Sequence, residues 1–156
     1  MLTYFSASHL GMIERYLQPN VDYFLKDAET SSINCFIGII SNNRRGHELV
    51  LTSEADKKPL KLVYNSKRSL SIYSPTVGKW LGTSGLNLLF DQQSIEGAEK
   101  FEPLIEPDKS DGVVLRSVQS WDNLRVWYEL VRTTDGKVQK GLLRHSVGKF
   151  NFFPVN

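Results

Sequence analysis

The chain is predicted to be an all-β domain, and two observations carry that expectation. Short apolar runs rich in β-branched and aromatic residues follow one another from Tyr23 onward, each bounded by turn-forming residues. One pattern, an apolar run, a polar connection and a lysine-led second run, occurs three times at intervals of about forty to fifty residues, the spacing of a repeat architecture. Its copies are His47–Ser53 with Lys58–Tyr64, Leu86–Phe90 with Lys100–Ile105, and Lys140–Ser146 with Lys149–Val155. Cys35 is the single cysteine, so no internal disulfide is available and packing must hold whatever fold forms.

Composition narrows the function classes. A length of 156 residues with 40% apolar content suits one domain, residues 1–156, with a core of its own. The net charge of +2, with acids and bases interspersed, argues against nucleic acid, which calls for a concentrated basic face. No apolar run approaches the roughly 18 residues that suggest a membrane span. Met1–Ser6 lacks the basic start and apolar core of a signal peptide, and no Asn-x-Ser/Thr acceptor occurs. A soluble, cytoplasmic protein is expected, with secretion by a non-classical route as the alternative.

Taken in order, residues 7–18 form the one expected helix. Leu10, Ile13 and Leu17 share a helical face, Ser6 or Ser8 caps the start, and Pro19 ends it. Three turns are marginal in isolation, so that face must cover a barrel end or meet a partner. Strands are expected at Tyr23–Lys26, Ile33–Ile40, Glu48–Ser53, Leu60–Tyr64, Leu70–Ser74 and Lys79–Thr83. Six more follow at Leu86–Phe90, Phe101–Ile105, Val113–Ser117, Arg125–Val131, Gly141–His145 and Phe150–Val155. Asn42–Gly46 and Thr134–Lys137 contain residues that tolerate positive φ and read as turns, and Pro107–Gly112 reads as a loop.

The leading strands align too: Tyr23–Thr30 before Ile33–Gly38, Leu70–Thr76 before Lys79–Gly82, and Val113–Ser120 before Leu124–Tyr128. The chain therefore divides into three four-stranded units, about 22–65, 69–107 and 112–156. This arrangement resembles a β-trefoil. The second unit, with Lys79-Trp-Leu-Gly82 followed by Leu86–Phe90 and a Phe101-led strand, resembles the fascin and fibroblast-growth-factor style of repeat. The resemblance implies a trefoil over residues 22–156, preceded by the short helix within 1–20. It also implies six strands closing a barrel, with Leu25, Ile72, Leu115, Leu60, Phe101 and Phe150 in a shared core. A rival is the bacterial SH3-like barrel: Trp127–Lys137 with Gly141–Arg144 resembles its closing hairpin, and Leu70–Ser74 with Leu81–Thr83 its opening strand. That reading leaves residues 22–65 unexplained.

Catalytic signals are weak in the sequence. His9, His47 and His145 have no metal-ligand spacing, and Cys35 sits in an apolar run where a buried inert thiol is expected. The carboxylates are scattered, so no acid–base pair is nominated. Leu81–Gly85 reads as a turn rather than a phosphate loop, and Asn42–His47 and Ser66–Ser69 as solvated basic turns. Trp80 and Trp127 are expected in the core. Trp121 differs, because Gln119–Asn123 reads as a turn among polar residues. A flat apolar ring beside Asp122 and Asn123 is suited to a sugar. Gln119-Ser-Trp121 also spells the Gln-x-Trp of ricin-type lectins, although at a different strand of the unit, so that family's site does not transfer.

The expectation is thus a non-catalytic binding module, lectin-like, with Trp121, Asp122 and Asn123 as ligand contacts and neither cofactor nor metal. The alternative is a protein-binding trefoil or SH3-like domain, such as an inhibitor, a toxin's receptor-binding part or a cytoskeletal binder. An enzyme with an unrecognised site ranks third. A glycan or protein ligand is the expected partner, with homo-oligomerisation as a means of presenting several sites.

Overall fold

In the computed structural model, the described residues are 5–6, 18, 20–28, 32–42, 46–65, 69–84, 87–106, 109–121, 124–132, 138–141 and 149–155. They form an all-β structure in which every strand pairing is antiparallel. The strands are β1 (Phe5–Ser6), β2 (Asp22–Asp27), β3 (Phe36–Asn42), β4 (Gly46–Thr52), β5 (Leu60–Tyr64), β6 (Leu70–Ser74) and β7 (Lys79–Ser84). They continue with β8 (Asn87–Gln92), β9 (Phe101–Glu106), β10 (Lys109–Trp121), β11 (Leu124–Arg132), β12 (Val138–Gly141) and β13 (Phe150–Pro154). Single 3-10 turns at Glu54–Asp56 and Ile95–Gly97 lie between β4 and β5 and between β8 and β9.

Six strands pair in a ring: β2 with β5, β5 with β6, β6 with β9, β9 with β10, β10 with β13, and β13 back to β2. Closing the ring removes two sheet edges that would otherwise be open to association. The other strands form three hairpins, β3–β4, β7–β8 and β11–β12, and the second strands of these hairpins touch one another pairwise.

Matching residues recur around the ring. Tyr23 faces Leu60, Leu70 faces Phe101, and Val113 faces Phe150 across the pairs β2–β5, β6–β9 and β10–β13. Leu60, Phe101 and Phe150 each open their strand and are at most 1% exposed. Two residues along the leading strands, Leu25, Ile72 and Leu115 are buried as well. Two further on come Asp27, Ser74 and Ser117, all buried and polar. The period of two explains this order, because alternate side chains of a strand face the same side. The polar positions serve the chain where it leaves the ring. The Ser74 hydroxyl accepts from the Val77 N–H at 3.0 Å, its carbonyl accepts from the Gly78 N–H at 2.7 Å, and the Asp27 N–H donates to the Cys35 carbonyl at 2.7 Å. Gly78, with φ of +78°, supplies the left-handed residue that this turn needs.

Several expectations change. The helix expected at 7–18 lies outside the described residues except Gln18, which is not helical. The Ser6 backbone is paired with Leu104 in β1–β9, and Ser8 lies outside the described residues. The strand expected from Ile33 begins at Phe36, since residues 32–35 form an irregular crossing in which the Asn34 N–H donates to the Ser32 hydroxyl. Ile33 is consequently 84% exposed.

The loop expected at Pro107–Gly112 contains the start of β10, and pairing with β9 runs from Lys109 to Ser117 with a register shift before Val114. Gly112, at φ of +106°, sits in that shift. It packs so tightly that an added Cβ would lie 3.1 Å from both the Ala28 Cβ and the Phe150 amide nitrogen. Of the strand expected at Gly141–His145 only Gly141 is described, as the last residue of a strand that begins at Val138, and residues 142–148 lie outside the described residues. Its pairing with β11 buries Val138, which flanking polar residues obscure in the sequence. Trp80 is half-buried and not part of the core. Its neighbour Leu81 faces inward at 0% exposed, so Trp80 turns outward to meet Tyr73 edge-on, with ring centroids 5.0 Å apart. The Trp127 side chain lies outside what is described.

Candidate functional site

The outward face of β2 and β13 is built by the same alternation that makes the core. In β2, Tyr23, Leu25 and Asp27 are buried, which turns Phe24 and Lys26 outward. In β13, Phe150 is buried at the strand start while Phe153 is 47% exposed. The register sets Phe153 directly across from Phe24, and Asn151 across from Lys26. On the other side of β2, Lys26 faces Phe36, the first residue of β3. Three phenylalanines and a lysine therefore gather on one outer wall.

A loop closes one side of this wall. After β4, the turn at Glu54–Asp56 is tied down by the Lys57 N–H donating to the Glu54 carbonyl and the Lys58 N–H donating to the Ile37 carbonyl at 3.1 Å. Lys57 then extends over the aromatics, with its Nζ 4.4 Å from the Phe24 ring centroid and 5.2 Å from that of Phe36. The Lys26 Nζ lies 5.7 Å from the Phe36 centroid. Such contacts contribute about 0.5–2 kcal/mol each, rising as the pair is shielded from water. The Lys57 side chain is 26% exposed and sits at the favourable end of that range. Glu54 approaches the same ammonium at 3.6 Å but is 74% exposed, so this ion pair adds little to stability.

Between these groups lies a cleft of about 650 Å³. Its lining comprises Phe24, Phe36 and Phe153 on the aromatic side, Lys26, Lys57 and Glu54 as charged groups, and Pro154 and Val155 at the rim. The rim is held by the Val155 N–H donating to the Asp22 carbonyl at 2.9 Å. The volume falls within the usual ligand-site range of about 300–1,000 Å³. An aromatic wall of this kind offers stacking area, and the ammonium groups offer hydrogen-bond donors and positive charge.

The residues nominated from sequence, Trp121, Asp122 and Asn123, fall at the β10–β11 connection. Trp121 is the last residue of β10 and pairs with Leu124, so its backbone belongs to a strand rather than to a turn. Asp122 and Asn123 form the link and lie outside the described residues, as does the side chain of Trp121. Cys35 is buried, His47 is half-buried opposite Ser41, and His9 and His145 lie outside the described residues. Of the two basic turns, Arg44, Arg45, Lys67 and Arg68 also lie outside them.

Among the described residues there is no group of three or more His, Cys, Asp or Glu able to hold a metal, and no helix long and apolar enough to cross a membrane. Sequence reasoning missed the cleft. The signal was present in Phe150–Phe153, because an inward Phe150 forces Phe153 outward, and likewise in Tyr23-Phe24. No protein-family model matches the chain, and no curated protein matches it either.

Proposed function

We propose that this chain is a β-trefoil acting as a non-catalytic, lectin-like binding module, with its ligand seated in the cleft between β2, β13 and the loop at Glu54–Lys57. The ring of β2, β5, β6, β9, β10 and β13, together with the three hairpins, supports the trefoil reading. One observation carries the binding reading: Phe153 is 47% exposed beside Phe24, at the mouth of a cleft that also presents charged groups. A large ring left in water on a regular strand adds nothing to the core, whereas it gives the C–H face of a sugar a platform.

The β10–β11 tip is the second proposed contact. Trp121 and Leu124 pair across a two-residue link, Asp122-Asn123. Trp121 ends β10, whereas the corresponding strands β2 and β6 end in Asp27 and Ser74, neither of them aromatic. One such site gives modest affinity, and homo-oligomerisation would raise it through avidity.

A glycan array probed with the intact chain tests the reading. Binding that Phe153→Ala abolishes, with the melting temperature preserved, supports it. Capture of a protein partner with no glycan bound would replace it with the protein-binding alternative.

A further inference from the structure

Resting on the sugar-binding reading, we infer that the cleft selects acidic sugars, those bearing a carboxylate, and that Lys57 is the group that meets the carboxylate. The charged lining holds two ammonium groups, Lys26 and Lys57, against one carboxylate, Glu54. An ammonium offers three donors and no acceptor, so the lining is rich in donors and suits a ligand rich in acceptors.

Lys57 is also held in position before any ligand arrives. Its Nζ lies against both the Phe24 and Phe36 rings, at 4.4 and 5.2 Å, and its side chain is 26% exposed. A lysine so confined loses less side-chain freedom on meeting an anion than one in open solvent. Since the lysine covers the Phe24 and Phe36 rings, the exposed Phe153 ring is the surface left for the sugar's apolar face. The ligand therefore needs both an apolar ring face and an anionic group, which a uronic or sialic acid provides.

Glu54 takes the part of a competing internal anion. Its carboxylate stands 3.6 Å from the Lys57 Nζ, a loose contact on an exposed side chain that an incoming carboxylate can displace. Removing that competitor strengthens binding of an acid and leaves binding of a neutral sugar unchanged.

The test uses an array carrying sialosides and uronate oligosaccharides, each as the free acid and as its methyl ester, with the intact wild-type chain as probe. Free acids are expected to bind at least tenfold more tightly than their esters, with the difference shrinking as salt is raised. Glu54→Gln is expected to tighten binding of the acids two- to fivefold without affecting the esters, and Lys57→Met to erase the difference between the two forms. Equal binding of acids and esters by the wild-type protein overturns the acidic preference while the sugar-binding reading stands. Absence of binding to any glycan on the array overturns both. Because the acid–ester comparison is made on the wild-type chain, the outcome does not depend on whether Lys57→Met folds.

Discussion

Replacing Phe101 with alanine tests the repeat most directly. Phe101 opens β9, pairs with Leu70 on one side and Ser117 on the other, and is 0% exposed. A fully buried phenylalanine removes about 150–200 Å² from water, worth about 4–5 kcal/mol at 25 cal/mol per Å². Emptying such a site costs about 3–5 kcal/mol in measured series, the cavity cost included. For a chain of this size, that loss lowers the melting temperature by about 6–20 °C. Phe150→Ala should cost the same within about 1 kcal/mol, since Phe150 faces Val113 at the corresponding place and is equally buried. Phe153→Ala is the control: it removes an identical ring that is 47% exposed, and should stay within about 1 kcal/mol of wild type. Urea unfolding followed by circular dichroism gives all three values, read as shifts in midpoint at constant slope. A cost below about 1 kcal/mol for Phe101→Ala, or comparable costs at 101 and 153, would refute the shared-core reasoning.

Three further outcomes follow from local geometry. Gly112→Ala should destabilise by about 1–3 kcal/mol, because alanine is strained at positive φ and its Cβ meets the Phe150 backbone; an unchanged urea midpoint would contradict this. Glu99→Ala should cost about 1–3 kcal/mol in the same assay, because the carboxylate accepts from the Thr83 hydroxyl at 3.1 Å and from the fully buried Ser117 hydroxyl, which would lose its acceptor. Trp121→Ala should abolish glycan binding while stability stays within about 1 kcal/mol; a strongly destabilised variant would assign that ring to packing.

Strand identity was legible wherever apolar runs were dense. Leu60–Tyr64 and Leu70–Ser74 are found at the expected bounds, and the expected core residues Leu25, Ile72, Leu115, Leu60, Phe101 and Phe150 are all buried. Boundaries failed where polar residues form strand. Lys109–Gly112 contains no apolar side chain, yet its backbone continues β10 through a register shift, and Val138 stands before Gln139-Lys140 with no apolar neighbour to mark it. Backbone pairing stabilises such segments irrespective of side chain, so hydrophobic pattern does not reveal them.

The division into recurring strands, the inward positions and the lack of an internal disulfide were determined by the sequence alone. Strand periodicity and cysteine count are local properties. Tertiary structure decided which strands pair to close the ring and which outward residues share a surface. Phe24, Phe36, Lys57 and Phe153 come from four separate segments, and they meet because β13 pairs with β2 and the loop after β4 folds back onto Ile37. Alternation tells that a side chain faces outward, but only strand pairing and loop closure set what lies beside it.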